Sequence, residues 1–154
     1  MEAKLPFPEK YIKHGNFVFN SGVLAKTKCE VEEMLTDPFY LSYLLERIPL
    51  SSHYVGIETG GAYMVMAAHI RNPGSKLSFI KKQEGKKEAL LGEKPNGRYG
   101  LVDDVTTTGG SLERAISLIG NSPEFILVAV DRREKKEKIA GLEVISVFET
   151  PSLL

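Results

Sequence analysis

An α/β fold, a mainly parallel twisted sheet flanked by helices, is predicted by three features of the sequence. Two short apolar runs, His53–Ile57 and Tyr99–Val102, each pass through a turn rich in threonine and glycine into a helical pattern, at Ala62–Ala68 and Leu112–Ile119. A third run, Phe125–Val130, is apolar without interruption, as expected of a central parallel strand covered on both faces. Strand, glycine turn and helix in alternation form the pattern of βα units, whose sites lie at the carboxyl ends of the strands.

The remaining elements follow in chain order. Residues 1–15 contain two prolines and mixed charge, and Phe17–Gly22 reads as a strand ended by turn residues. Thr36-Asp37-Pro38 is a helix start, an acidic cap before a first-turn proline, and Phe39, Tyr40, Tyr43, Leu44 and Arg47 follow at helical spacing as far as Pro49. These aromatic residues are assigned to the core or to a subunit contact. After the strand His53–Ile57, Gly60 and Gly61 have two readings: close packing of helix on sheet, or a second anion-binding turn formed by Glu58-Thr59-Gly60-Gly61. His69 falls near the end of that helix, where a cation suits the dipole. Leu77–Ile80 is the next strand, Lys81–Glu88 has the composition of a solvated loop, and Ala89–Gly92 is a brief strand before the Asn96-Gly97 turn. Gly120–Pro123 closes the helix begun at Leu112, Arg133–Lys138 reads as a solvated helical turn, and Leu142–Phe148 as a last strand.

Composition narrows the function. The 154 residues suit a single domain, and 20 basic residues balance 20 acidic ones, which leaves no general electrostatic case for nucleic acid or an anionic membrane. One cysteine, Cys29, excludes an internal disulfide and a cysteine-based zinc site. No run approaches the roughly 18 apolar residues of a membrane span, and the first residues lack a signal-peptide core, so a cytoplasmic protein without a membrane partner is expected.

The most informative stretch is Leu101-Val102-Asp103-Asp104-Val105-Thr106-Thr107-Thr108-Gly109-Gly110-Ser111. Backbone N–H groups and the positive end of the following helix would receive a phosphate, with Thr107, Thr108 and Ser111 adding hydroxyl donors and Gly109 and Gly110 allowing close approach. Asp103 and Asp104, adjacent carboxylates at the strand tip, are poorly placed to bind phosphate themselves but well placed to accept hydrogen bonds from a sugar diol or to hold a divalent metal. The string reads as a site for a phosphorylated sugar.

That stretch closely resembles the phosphoribosyl diphosphate (PRPP) signature of the type I phosphoribosyltransferases, and the resemblance extends from Gly15 to Phe148, nearest to the orotate phosphoribosyltransferases. It implies the fold of that family: one domain over residues 1–154, with an N-terminal hood of about residues 1–35 and a core of about 36–154. It implies transfer of the 5-phosphoribosyl group from PRPP to orotate, giving orotidine 5′-monophosphate and diphosphate, with Mg²⁺ as cofactor and a homodimer whose loop is shared between subunits. Carried over residue by residue, Thr107, Thr108, Gly109, Gly110 and Ser111 would hold the 5′-phosphate, and Asp103 and Asp104 the ribose and possible metal. Glu58, Thr59, Gly60, Gly61 and Lys81 would line the diphosphate, Lys82 with either Lys86 or Lys87 would act as catalytic cations, and Arg132 would recognise orotate. The chain departs from the family pattern in the hood, where Asn20 replaces a common lysine, and in the loop after Lys82, which lacks a histidine. A phosphoribosyltransferase for another base and a non-catalytic sensor of PRPP or nucleotides are the alternative readings.

Overall fold

The computed structural model describes residues 3–83 and 85–150. A six-stranded sheet in the order β5-β4-β3-β6-β7-β8 forms its centre, made of β3 (His53–Ile57), β4 (Lys76–Lys81), β5 (Ala89–Gly92), β6 (Gly100–Thr106), β7 (Phe125–Asp131) and β8 (Val144–Ser146). All neighbouring pairs are parallel except β4–β5, an antiparallel hairpin at the edge. Strand order reverses between β3 and β6, so their carboxyl ends diverge around a crevice, the usual ligand position in such sheets.

Alternation along the strands places the core on both faces. Tyr54, Val102 and Leu127 join one apolar cluster, and Val55, Leu101 and Ile126 the other. The first is covered by α1 (Val31–Met34), α2 (Pro38–Arg47) and α3 (Gly60–Arg71), which contribute Met34, Leu44 and Met64. The second is covered by α4 (Gly110–Ile119) through Leu112, Ala115 and Ile119. Capping starts α2 as its sequence predicts: Asp37 accepts a hydrogen bond from Phe39 N at 3.0 Å with Pro38 at the first helical position. Its aromatic residues divide, Tyr40 and Tyr43 packing on Phe148 while Phe39 faces outward.

The N-terminal segment is a separate antiparallel hairpin, β1 (Ile12–Val18) and β2 (Leu24–Cys29), following a 3₁₀ turn at Glu9–Tyr11. This corrects two expectations. The first strand begins before Phe17 and the turn occupies Phe19–Val23, closed by Phe19 N to Val23 O at 3.0 Å. A second strand follows it, with Ala25, Thr27 and Cys29 buried between exposed lysines. The expected helical turn at Arg133–Lys138 is also absent. That segment is irregular, because the Arg133 guanidinium is drawn inward to Asp131 and its Nη1 bonds the Glu137 carbonyl at 2.8 Å.

Two glycines set the spacing at the crevice. A Cβ on Gly61 would lie 2.6 Å from Val102 O and 3.0 Å from Asp103 Cα, and one on Gly60 would lie 2.5 Å from Asp104 Oδ2. The packing reading of these glycines is therefore physically sufficient. Gly61→Ala is expected to lower stability by roughly 1–3 kcal/mol through overpacking against backbone that cannot yield. Gly97→Ala, where an added Cβ meets nothing within 4 Å, should leave Tm unchanged. Equal melting temperatures for the two variants would contradict this packing.

Candidate active site

β6 carries its regular backbone through both acids to Thr106, so Asp103 and Asp104 lie inside the strand rather than beyond its tip. Successive strand residues face opposite ways, and the two carboxylates separate accordingly. Asp104 borders an open cleft of about 610 Å³ at the crevice, whereas Asp103 is buried and outside the cleft lining. The Asp103 carboxylate accepts from Asp104 N at 2.8 Å, and the Asp104 carboxylate from Val105 N at 2.7 Å. Burial, then the neighbouring Asp104 charge, push the Asp103 carboxyl well above the ordinary carboxylate range, with Lys82 pulling the other way.

The loop that follows is pre-shaped by its own hydroxyls. Gly109 N donates to Thr106 Oγ1 at 3.0 Å and Gly110 N to Thr108 Oγ1 at 3.2 Å. Gly109, the N-cap of α4, has φ +86°, a conformation that favours glycine. Thr107, Thr108, Gly109, Gly110 and Ser111 all line the cleft, as the sequence pattern leads one to expect of an anion loop. Across the opening, the hood reaches down: Ser21 Oγ lies 2.8 Å from Thr107 Oγ1, and Asn20 borders the same space.

The basic residues are distributed unevenly. Lys82 and Lys86 line the cleft, while Lys81, paired with Ala89 in the edge hairpin, and Lys87 do not. Glu58, Thr59, Gly60 and Gly61 join β3 to α3 beside the crevice, with Glu58 N bonded to Ile80 O at 3.0 Å, but they are not among the lining residues. Gly60 instead supports Asp104 from behind.

Arg132 borders the cleft although it is only 2% exposed. It is not paired with Asp131 on the surface. Its Nη1 donates to Thr27 O at 2.9 Å and its Nη2 to Thr27 Oγ1, so strand β2 of the hood holds the guanidinium. Asp131 binds Arg133 instead, through Nε at 3.0 Å and Nη2 at 2.9 Å. Burial alone would raise the Asp131 carboxyl, but the Arg133 hydrogen bonds and charge outweigh it and hold it below its usual value. Cys29, also at the cleft, has its thiol pushed up to about 11 by burial, partly opposed by Arg132.

The sequence reading missed Lys28, Thr27, Glu88 and Arg114, of which Lys28, Glu88 and Arg114 line the cleft. Arg114 was in principle accessible, since it falls three residues after Ser111 on a helix and so shares its face. Among the described residues, the lining sets Lys28, Lys82, Lys86, Arg114 and Arg132 against Asp104 and Glu88, which suits a ligand carrying several negative charges. Among the described residues no three acidic, histidine or cysteine side chains converge as a metal cage.

No family model matches the chain. The orotate phosphoribosyltransferase of Methanopyrus kandleri is 32% identical to it, over 92% of this chain and 84% of its own length. The crystal structure of the orotate phosphoribosyltransferase from Aeropyrum pernix is 27% identical and aligns with a TM-score of 0.68, over 91% of this chain and 88% of that one. An adenine phosphoribosyltransferase from Rhodothermus marinus, 17% identical, shares the fold with a TM-score of 0.65 over 92% of this chain and 95% of its own.

The separation of the two acids has a pH signature. Because burial holds the folded Asp103 carboxyl above the ordinary carboxylate range, the stability tied to its proton is fully present below that range and is lost as pH rises through the folded value. Asp103→Asn keeps the acceptor for Asp104 N and removes the titration. Its Tm should fall less than that of the parent between the ordinary carboxylate range and neutrality; parallel Tm profiles would show that Asp103 is not held protonated.

Proposed function

This chain belongs to the orotate phosphoribosyltransferase family and is a pentosyltransferase, and we propose how its residues transfer the 5-phosphoribosyl group from PRPP to orotate. In this reaction a bond forms between orotate nitrogen and ribose C1 while the bond from C1 to the diphosphate oxygen breaks, its electron pair leaving with diphosphate, and the proton of the orotate nitrogen is released to the departing diphosphate or to water. The barrier falls when the ribose is fixed, the leaving charge is neutralised and the sugar's developing positive charge is balanced.

One observation carries the assignment: the hydroxyl-rich loop at residues 107–111, Asp104, Lys82, Lys86 and Arg132 all border one cleft. Residues 107–111 bind the 5′-phosphate with loop hydroxyls and with the N–H groups of Gly109 and Gly110, exchanged from their threonine partners. Asp104 accepts from the ribose hydroxyls and places a carboxylate beside the developing cation. Asp103, behind it, fixes the Asp104 backbone through its N–H. Lys82 and Lys86 neutralise the departing diphosphate as point charges. Glu58, Thr59, Gly60, Gly61 and Lys81 complete the wall on the diphosphate side. Arg132, oriented by Thr27, binds the planar carboxylate of orotate, for which a guanidinium fork is well matched.

A magnesium ion fits this donor set as a companion of the substrate. Mg²⁺ keeps several waters and takes one or two carboxylates together with substrate phosphates, and Asp104, with Asp103 adjacent, is the acid available here. When bound it would supply neutralisation of diphosphate charge. We further assign a homodimer to the chain, since Tyr63, Met66 and Ile70 form an exposed apolar stripe along one face of α3 that suits a second copy. No helix among the described residues is long and apolar enough to cross a membrane, in keeping with a cytoplasmic enzyme.

Diphosphate release should be followed with PRPP, Mg²⁺ and, in parallel, orotate, uracil, adenine, hypoxanthine and guanine, for the parent chain and for Lys86→Ala and Lys87→Ala. Turnover is expected with orotate alone, and Lys86→Ala is expected to lower kcat by about 10²-fold or more, with Lys87→Ala within a few-fold of the parent. Turnover with a purine but not orotate would overturn the role of Arg132. PRPP binding without turnover on any base would turn the reading toward a sensor.

A further inference from the structure

We propose that Arg114 is an additional cation of the 5′-phosphate subsite, and that Glu88 holds its guanidinium in direct competition with the substrate phosphate. The proposal rests on the reading of residues 107–111 as the 5′-phosphate loop. Arg114 lies one turn into α4, and its side chain runs back toward the helix start, the direction helical side chains favour. Nε is 3.2 Å from Glu88 Oε1, and Nη2 donates to Ser111 Oγ at 3.1 Å. A Cβ on Gly110 would come within 3.0 Å of Nη1, so the guanidinium rests directly against the loop glycine.

That position is electrostatically adverse without an anion. A helix N-terminus carries partial positive charge and disfavours a neighbouring cation. Glu88 supplies the compensating carboxylate. The pair is weakly held, because the Arg114 side chain is 61% exposed and solvent screens such ion pairs. A phosphate on the loop brings more charge than one carboxylate, and oxygens that a guanidinium fork meets in bidentate fashion. Ser111 and Gly110, the neighbours Arg114 already touches, belong to the same loop.

The exchange also has a consequence at a distance. Glu88 is the residue immediately before β5, at the end of the segment that carries Lys82 and Lys86. When Arg114 turns to phosphate, the Glu88 end of that segment loses its tie to α4.

Calorimetric titration with ribose 5-phosphate, and separately with inorganic diphosphate, tests this on the full chain and on Arg114→Met, Arg114→Lys and Glu88→Gln. Arg114→Met is expected to weaken ribose 5-phosphate about tenfold, Arg114→Lys to recover part of the loss, and Glu88→Gln to tighten binding several-fold; diphosphate affinity should stay within about twofold for all. A merely structural ion pair would make both Arg114→Met and Glu88→Gln unfavourable or neutral. Unchanged ribose 5-phosphate affinity in Arg114→Met, or unchanged or weaker affinity in Glu88→Gln, overturns the proposal while leaving the loop assignment intact. Failure of the parent chain to bind ribose 5-phosphate overturns both. Should Arg114→Met not fold, Glu88→Gln and Arg114→Lys decide it alone.

Discussion

The seat of α3 on β6 is the constraint from which the site follows. Gly61 approaches the Val102 carbonyl so closely that no side chain fits between them, Gly60 does the same against the Asp104 carboxylate, and a Cβ on Gly56 would lie 2.5 Å from Gly61 O. Three glycines thus bring β3, α3 and β6 together where the strand order reverses. Packing this tight fixes the height and rotation of β6, and the strand's period of two then does the rest. One acid of the pair is turned inward, where burial pushes its carboxyl above the ordinary range; the other is turned to the cleft. A difference in environment of this kind is how one residue type supplies two chemical behaviours a single position apart.

Beyond the acids, the cleft is organised by hydrogen bonds that link distant parts of the chain. Thr106 is a pivot, its hydroxyl accepting from Gly109 N and its carbonyl from Arg132 N at 2.8 Å. Loop and arginine are therefore registered to the same residue at the end of β6. The hood adds a second restraint from above, through Thr27 to Arg132 and through Ser21 to Thr107. Preorganisation of this sort lets donors and charges act in the transition state without first being ordered. Below, the Asp131–Arg133 pair, both side chains 6% exposed or less, ties the end of β7 to the segment after it and keeps Arg133 out of the cleft.

Much of this was legible from residue order, and the exceptions have physical causes. The strand His53–Ile57 and the brief strand Ala89–Gly92 coincide with their sequence readings, and α2 begins where Asp37 and Pro38 indicate. Those signals are local: apolar runs, caps and turns. Strand β2 escaped notice because its buried positions are the small or polar Ala25, Thr27 and Cys29 and its exposed ones are Leu24, Lys26 and Lys28, so its alternation carries little apolar contrast. The Asp131–Arg133 pair follows the same-side geometry of residues two apart in extended chain, yet was hidden within a run of charges read as solvated. The choice between Lys86 and Lys87 depends on the path of the segment joining β4 to β5, which composition does not encode. The meeting of Arg114 with Glu88, 26 positions apart, is a tertiary event with no local trace.

The most direct test of this account is a crystal structure with orotidine 5′-monophosphate bound. The phosphate is expected on the N–H groups and hydroxyls of residues 107–111, the ribose hydroxyls within hydrogen-bonding distance of Asp104, and the pyrimidine carboxylate facing Arg132 beneath the hood. A nucleotide bound in the opposite orientation, or away from the carboxyl ends of β3 and β6, would contradict it.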